Sequence, residues 1–193
     1  ELNAALFHEF VEEVYSPTSP YSFAVLDADF LGQVYEHFLA KRLAPLADGS
    51  IGLVQKPAYE DREIVTTPQP LVEEVIQRAF DARFSAAPAT SFEELCLVRV
   101  LDVAVGSGRF LVHALDKLVD TAIGILKGNP NDSRLYKVSG NEFRLRFEAK
   151  RRLLQDCLYG IDVDFNAVEV ARFSLMVKLL EDETADTLPD SKS

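Results

Sequence analysis

The sequence predicts an α/β fold with a parallel sheet, preceded by a helical segment. Two short apolar runs, Leu97–Leu101 and Leu158–Ile161, have the length and composition of buried strands, and an aspartate follows each of them. Long apolar helices are predicted after both runs. Because parallel strands must be joined by a crossover, usually a helix, the order helix, strand, helix, helix, strand, helix indicates a parallel arrangement.

Residues 1–64 are predicted to form a helical N-terminal segment with a short hairpin. Apolar residues recur at helical spacing before Pro17, and a second helix is predicted from Asp29 to about Leu43. Asp48-Gly49 is a strong turn pattern, and the apolar run Ile51–Val54 follows it. A hairpin is therefore predicted around this turn.

Residues 65–193 are predicted to hold the strands of the parallel sheet and their crossover helices. Thr67 and Pro68 fit an N-cap followed by a proline at the first helical position, so a helix is predicted to begin there. Further helices are predicted at Phe110–Leu126, Phe143–Gln155 and Val168–Leu180. Residues 128–140 are rich in Gly, Asn, Pro, Asp and Ser, which predicts a loop.

The composition is that of a packed globular protein, and it argues against several functional classes. Of 193 residues, 48% are hydrophobic, and the formal net charge of −11 speaks against a free-standing domain that holds nucleic acid by overall charge. No apolar run approaches the roughly 18 residues of a transmembrane helix. Two cysteines, Cys96 and Cys157, are too few for a disulfide scaffold and show no metal-ligand spacing. We therefore expect a protein of the reducing cytoplasm. Because the chain begins at Glu1 and ends at Ser193 after an acidic stretch, we also expect a piece of a longer protein.

The most informative segment is Val100–Leu111, in which a strand is followed by a glycine turn and then by a helix. Gly106 and Gly108 allow a sharp turn and a close approach of the backbone to a ligand. A dinucleotide site requires a third glycine, where this chain has Leu111, and a P-loop requires a lysine that does not follow Gly108. Asp102 would repel a phosphate but can bind an ammonium group, which favours S-adenosylmethionine as the cofactor.

A second acidic residue supports a nucleoside cofactor. Asp162 follows the second predicted strand, at the position where an α/β fold accepts hydrogen bonds from ribose hydroxyls. It lies 60 residues after Asp102, whereas roughly 20 residues usually separate a glycine motif from its acidic partner. The loop and helix at 128–155 are therefore predicted to be an insertion. Asp164 fits the cap of the next helix.

Four segments resemble motifs of the N6-adenine DNA methyltransferases. Residues 102–115 (DVAVGSGRFLVHAL) resemble the cofactor motif D-P-A-C-G-S-G-x-F-L, and residues 65–76 (VTTPQPLVEEVI) resemble the segment that precedes it. Residues 159–175 resemble the ribose-binding motif that follows. Residues 31–40 (LGQVYEHFLA) resemble an upstream helix of the fused type IIG restriction–modification enzymes. The resemblance implies a Rossmann-like, S-adenosylmethionine-dependent methyltransferase fold, of which this chain holds the cofactor-binding half.

The resemblance also implies which residues bind S-adenosylmethionine. They are Thr66 and Thr67 at the methionine end, Asp102 beneath the amino group, the backbone of Ala104, Gly106, Ser107 and Gly108, Phe110 beside the cofactor, Asp162 at the ribose and Val163 against the adenine. The family's proline and cysteine are Val103 and Val105 here. Valine keeps an extended backbone at the first position and a similar apolar volume at the second.

The catalytic motif of the resembled family, [DNS]-P-P-[YFW], does not follow Asp162, so no catalytic residue is predicted in this chain. Asn129-Pro130 precedes the ribose acid and lacks both the second proline and the aromatic residue that would stack on a flipped base. We therefore expect an inactive fragment of a restriction–modification enzyme that methylates adenine in double-stranded DNA, with the recognition region outside this chain. One alternative is a non-catalytic methyltransferase-like scaffold or subunit, which Val103 and Val105 would permit. Another is half of an NAD-binding oxidoreductase, against which Leu111 argues.

A basic cluster and three histidines give further predictions. The basic cluster consists of Arg144, Arg146, Lys150, Arg151 and Arg152. These residues are predicted to share a helix, where weak contacts with DNA phosphates are one interpretation. A solvated helix face with local ion pairs is the interpretation that we favour. His8, His37 and His113 show no ligand spacing, so no metal site is predicted.

Overall fold

The computed structural model describes Gly32, Val34, Tyr35 and residues 41–55, 67–184, 187 and 188. Helices and strands alternate in this part of the chain, in agreement with the α/β class. The first predicted helix lies outside the described residues, while Gly32, Val34 and Tyr35, which belong to the second, are helical. None of the described helices is both long and apolar enough to cross a membrane.

The hairpin predicted around Asp48-Gly49 is present. Strand β1 (Lys41–Pro45) pairs antiparallel with β2 (Ile51–Gln55). Gly49 lies in the turn with a φ of +82°, and the Asp48 carboxylate accepts a hydrogen bond of 2.9 Å from the backbone N–H of Ser50. The prediction that the preceding helix extends to about Leu43 is wrong, because the backbone from Lys41 onward pairs with β2 instead.

The predicted parallel pair is also present, although its strands are shorter than the apolar runs. Strand β3 (Val100–Asp102) pairs with β6 (Leu158–Gly160), so that Asp102 lies opposite Gly160. The prediction of a buried strand over Leu97–Leu101 is wrong in two respects. Leu97 lies in a turn and is 71% exposed, and Leu101 is 57% exposed. Leu97 lies in a turn because a short helix, α2 (Phe92–Leu95), ends just before it.

The hydrophobic core is built around one long helix, α3 (Arg109–Leu126). Its leucines recur at helical spacing and are buried, as in an amphipathic helix that faces a core. They are Leu111, Leu115, Leu118 and Leu126. The elements that contact α3 are β3, β6, α2, α1 (Gln69–Ala86), α4 (Phe147–Cys157), α5 (Phe165–Leu180) and a strand of the hairpin described next. Cys96 and Cys157 are buried in this core.

The segment between the parallel strands differs most from the prediction. The sequence predicts a loop over 128–140 and a helix from Phe143. The structure instead has an antiparallel hairpin of β4 (Leu135–Ser139) and β5 (Glu142–Leu145), and α4 begins only at Phe147. The polar composition hides this hairpin because each strand buries one residue, Leu135 or Leu145, against the core.

The starts of two helices also differ from the prediction. Thr67 is not an N-cap, because Pro68 holds that position and its carbonyl accepts hydrogen bonds from the N–H groups of Leu71 and Val72, at 2.9 and 3.2 Å. Helix α5 begins at Phe165, three residues before the predicted start. Its N-cap is Asp164, as predicted, and this carboxylate accepts a hydrogen bond of 2.9 Å from the N–H of Asn166.

Candidate cofactor site

The glycine turn between β3 and α3 lies directly beside the chain that leaves β6. The N–H of Ile161 donates to the carbonyl of Asp102 at 2.8 Å, and the N–H of Val105 donates to the carbonyl of Ile161 at 2.9 Å. Gly106 and Gly108 have φ angles of +53° and +87°, which glycine adopts without steric cost. The parallel pairing thus continues into the turn and fixes its position.

Two close approaches require glycine at this site. A Cβ atom on Gly108 would lie 3.0 Å from both Cα and Cβ of Ala171 in α5. A Cβ atom on Gly160 would lie 2.8 Å from Cγ2 of Val105. Val105, where the resembled family has cysteine, is buried in this contact, and Val103, where that family has proline, is exposed. Val105 therefore takes part in the packing around the turn, whereas Val103 lies at the surface.

Asp162 links the glycine turn to the start of α5. Its Oδ2 accepts a hydrogen bond of 2.9 Å from the N–H of Gly106, and its Oδ1 accepts one of 2.9 Å from the N–H of Asp164. Each carboxylate oxygen has two lone pairs, so further acceptor capacity remains. The structure brings Asp162 to the glycine turn across 56 residues of sequence, and its role at a ribose stays a prediction.

Asp102 has one carboxylate oxygen paired within its own loop and one without a partner. Oδ1 accepts a hydrogen bond of 3.1 Å from the N–H of Ala104. Oδ2 is buried, and within the described part of the chain it has no hydrogen-bond partner. A buried carboxylate oxygen without a donor is costly, since folding removes it from water without replacing the lost hydrogen bonds. An ammonium group would satisfy it with a charge-assisted hydrogen bond.

The other predicted residues occupy different environments around this turn. Ser107 is buried, whereas Ala104 and Val163 are exposed. Phe110 is half-buried and packs against the hydrophobic core. Thr67 is half-buried, and its carbonyl accepts a hydrogen bond from the start of α3. Thr66 lies outside the described residues.

The structure adds three residues that the sequence analysis did not predict. Arg109 is 6% exposed and supplies the donor to Thr67. Gly32 lies against the turn, because a Cβ atom there would be 3.0 Å from Oγ of Ser107. The Tyr35 hydroxyl donates to Oδ2 of Asp164 over 3.5 Å. The three-residue spacing of Gly32 and Tyr35, which places both on one helix face, was a signal in the sequence. Nothing marked Arg109, since an arginine in a first helical turn is ordinarily solvated.

The basic cluster does not form one helical ridge, so that prediction is wrong. Arg144 lies in β5 and Arg146 is the N-cap of α4, because the hairpin replaces the start of the predicted helix. Four members have acidic partners: Arg144 with Asp182 at 3.2 Å, Lys150 with Glu183, Arg151 with Glu148 at 2.6 Å, and Arg152 with Asp156 at 3.3 Å. These contacts support the interpretation of local ion pairs. Binding of DNA phosphate by the cluster stays a prediction.

Two further features lie apart from the predicted cofactor residues. A groove of about 450 Å³ between α1 and α3 is lined by acidic residues, among them Glu73, Asp116 and Asp120, and by none of the predicted cofactor residues. In the described part of the chain, no group of three or more His, Cys, Asp or Glu side chains is placed to hold a metal ion. His113 is half-buried on α3, and His8 and His37 lie outside the described residues.

Two known proteins are similar to this chain. It is 36% identical over 178 residues to the type II restriction enzyme and methyltransferase RM.Eco57I of Escherichia coli, and the aligned part is 92% of this chain but 17% of that protein. It is 33% identical over 96 residues to a protein of Methanocaldococcus jannaschii named "Putative type II restriction enzyme and methyltransferase RM.MjaORFECS2P", which is 50% of this chain and 7% of that protein. The chain thus spans a small part of both relatives. No family model matches the chain, and no solved structure matches it significantly.

Proposed function

The chain is related to the type II restriction enzymes and methyltransferases, as its motifs predicted, and we propose that it is the S-adenosylmethionine-binding part of a DNA adenine-N6 methyltransferase. The names of the two relatives state only restriction enzyme and methyltransferase. S-adenosylmethionine as the cofactor, adenine as the methylated base and a Rossmann-like fold are parts of what we propose. Double-stranded DNA as the substrate and a cytoplasmic location of the whole protein belong to the same proposal. The observation that carries it is Oδ2 of Asp102 beside the glycine turn, which is buried and has no hydrogen-bond partner among the described residues.

The residues around the turn fit S-adenosylmethionine. The cofactor has an ammonium group, which is the donor that Oδ2 of Asp102 lacks among the described residues. It has ribose hydroxyls, for which Asp162 retains acceptor capacity. Within the part of the chain that the structure describes, a Cβ atom on Gly106 would come no closer than 4.0 Å to a neighbour, the carbonyl oxygen of Ala104, so these residues leave room beside the backbone there. An NAD site fits less well, because Leu111 is buried in the core at the position of the third glycine.

Each residue of the site has a distinct role in this proposal. When bound, S-adenosylmethionine supplies a methyl group that its cationic sulfur activates. Asp102 holds the ammonium group, Asp162 holds the ribose, and Thr66 and Thr67 contact the methionine end. Ala104 and the turn from Gly106 to Gly108 form a backbone wall, with Phe110 beside the cofactor and Val163 against the adenine. Together these residues orient the methyl group. We propose that this chain binds the cofactor without transferring the methyl group, since its sequence lacks the [DNS]-P-P-[YFW] motif.

Calorimetric titration of the chain and of its Asp102→Asn variant tests the proposal. The wild-type chain should bind S-adenosylmethionine saturably. Asparagine keeps an acceptor for the N–H of Ala104 but removes the charge. A hydrogen bond to a charged group contributes roughly 1.5–3 kcal/mol, so the affinity for S-adenosylmethionine should fall by about tenfold or more. The stability of the free variant should be unchanged or higher, because the negative charge next to the buried Oδ2, which has no donor among the described residues, is gone.

A second ligand serves as the control for this titration. 5′-Methylthioadenosine carries the nucleoside and the sulfur but lacks the amino-acid part with its ammonium group, so Asp102→Asn should change its affinity by less than twofold. Equal losses for both ligands would contradict the role of Asp102 at the ammonium group. A wild-type chain that fails to bind S-adenosylmethionine at millimolar concentration would contradict the proposal and favour the scaffold alternative.

A further inference from the structure

We propose that Arg109 is a positioning residue for the cofactor, which from the first turn of α3 fixes the backbone at Thr67. This inference rests on the proposed function, in which Thr67 contacts the methionine end. Nη1 of Arg109 donates a hydrogen bond of 2.6 Å to the carbonyl of Thr67, across 42 residues of sequence. The side chain is 6% exposed, so this contact is made away from bulk water.

Burial determines what this arginine can do. An exposed arginine beside a glycine turn at the start of a helix would suit a phosphate or a carboxylate. Arg109 is instead buried, with one N–H committed to a backbone carbonyl. A hydrogen bond from a charged donor is roughly twice as strong as a neutral one, and it is not screened here by solvent. The arginine therefore joins two segments of the chain, and its burial is a poor fit to the binding of an anionic ligand from solvent.

The segment that Arg109 holds lacks a side-chain anchor at the start of its own helix. Pro68 is the N-cap of α1 and makes no side-chain cap. Val72 and Ile76 bury one face of α1 further along, but Thr67 precedes the first helical turn. The hydrogen bond from Arg109 thus sets where Thr67 lies relative to the glycine turn. Because the acceptor is a carbonyl, a substitution of the Thr67 side chain would leave this contact in place.

A third segment packs against the same arginine. A Cβ atom on Gly32 would lie 3.4 Å from Cγ of Arg109, in addition to its short distances to Ser107. Glycine at position 32 therefore leaves room for the arginine stem and for Ser107. The consequence is that Arg109 lies where three segments meet: the one around Gly32, the one at Thr67, and the glycine turn itself.

The test compares Arg109→Lys with Arg134→Lys in this chain. Lysine keeps the charge but lacks the planar fork of guanidinium donors. Arg109→Lys should weaken S-adenosylmethionine about tenfold and 5′-methylthioadenosine, which lacks the methionine end, by less than twofold. Arg134 contacts Asp132 and Glu93 and none of the predicted cofactor residues, so Arg134→Lys should change neither affinity. Unchanged affinity in Arg109→Lys, or an equal loss for both ligands, would overturn the proposal.

A second pair of variants decides the matter if Arg109→Lys does not fold. Gly32→Ala should push on Ser107 and Arg109 and lower the affinity for S-adenosylmethionine several-fold. Gly124→Ala, at a helical glycine with no neighbour within 4 Å, should leave the affinity unchanged. Wild-type affinity in Gly32→Ala would overturn the proposal.

Hydrogen exchange separates this inference from the cofactor assignment. The N–H groups of Leu71 and Val72, which bond to the Pro68 carbonyl at the start of α1, should exchange about tenfold faster in Arg109→Lys without any ligand. In Arg134→Lys their exchange should match that of the wild type. Failure of the wild-type chain to bind S-adenosylmethionine would contradict the proposed function alone, whereas unchanged exchange in Arg109→Lys would contradict the role of the arginine.

Discussion

The partners of the charged side chains differ between two parts of this molecule. Around the β4–β5 hairpin, charged side chains pair with one another: Arg134 lies 2.7 Å from Asp132 and 2.6 Å from Glu93. At the glycine turn, the carboxylates of Asp102 and Asp162 accept hydrogen bonds from backbone N–H groups. One oxygen of Asp102 has no hydrogen-bond partner in the described part of the chain.

The difference shows which charges the fold itself uses. A carboxylate that is paired with a neighbouring arginine, such as that of Asp132, stabilises the folded state without any ligand. A buried oxygen without a donor costs stability, and such costs concentrate at sites that bind ligands. The glycines of the two parts differ in the same sense. Gly108 is required by a neighbouring helix as well as by its φ angle, whereas Gly140 in the hairpin is required by its φ angle of +51° alone.

The largest expected effect comes from Gly108→Ala. Alanine at a φ of +87° is strained, and its Cβ would lie 3.0 Å from the backbone of Ala171. The two costs together should lower the free energy of unfolding by about 2–4 kcal/mol. Gly140→Ala, which meets nothing within 4 Å, should cost about 1 kcal/mol. Urea denaturation measures both values, and equal losses would show that packing of α5 on the turn contributes nothing.

Gly160→Ala should have the next largest effect, because its Cβ would lie 2.8 Å from Cγ2 of Val105 and 3.2 Å from Cδ1 of Leu111. Overpacking of this kind costs about 1–3 kcal/mol. The clash is with one side chain above all, so a second substitution, Val105→Ala, should relieve it. The double variant should be about 1 kcal/mol more stable than the sum of the single effects. Strict additivity in the same denaturation experiment would contradict the close approach of β6 to the turn.

The sequence predicted the parts of the fold in which local pattern and tertiary packing agree. The apolar periodicity of α3, whose leucines are buried in the core, is of this kind. The Asp48-Gly49 hairpin was predicted from its local turn pattern alone, since most of its large apolar side chains are exposed. It failed between the parallel strands, because the β4–β5 hairpin buries only one residue in each strand and its polar composition resembles a loop. It also placed the cap of α1 one residue early, since the carbonyl of Pro68 substitutes for a capping side chain.

The candidate site divides along a similar line. The glycine turn and the position of Asp162 could be predicted, because glycines or an acidic residue that follow an apolar run can be recognised in the sequence alone. That Asp162 accepts a hydrogen bond from Gly106 follows only from the register of β3 and β6. The burial of Arg109 and its contact with Thr67 depend on how α1 packs on α3. No local sequence pattern carries that information.

In the hairpin region, Asp132→Asn tests the paired charges by pH. Hydrogen bonds from the side chain and the backbone of Arg134 lower the pKa of Asp132 to about 2, below the roughly 3.9 of an unfolded aspartate. A lowered pKa stabilises the folded state fully above the unfolded value. The stability advantage of the wild type over Asp132→Asn should therefore be constant above about pH 5, decline as the pH falls through about 4, and be lost completely only below about pH 2, the folded pKa. Urea midpoints at several pH values measure it, and an advantage at about pH 2 as large as that above about pH 5 would contradict the pairing.

Arg151→Gln should have the smallest effect, and it asks whether the basic cluster has a function beyond its own ion pairs. Arg151 and Glu148 are 2.6 Å apart on one face of α4, with about half of each side chain exposed (49% and 55%). Exposed helical pairs contribute about 0.3–0.5 kcal/mol, and salt screens them. We therefore expect a loss of at most about 0.5 kcal/mol that shrinks further in high salt, with unchanged retention on heparin. A clear loss of heparin retention without a loss of stability would instead show that this arginine is available to phosphate-like groups. The basic cluster would then resemble the glycine turn, where we propose that charges serve a ligand, more than the ion pairs of Arg134.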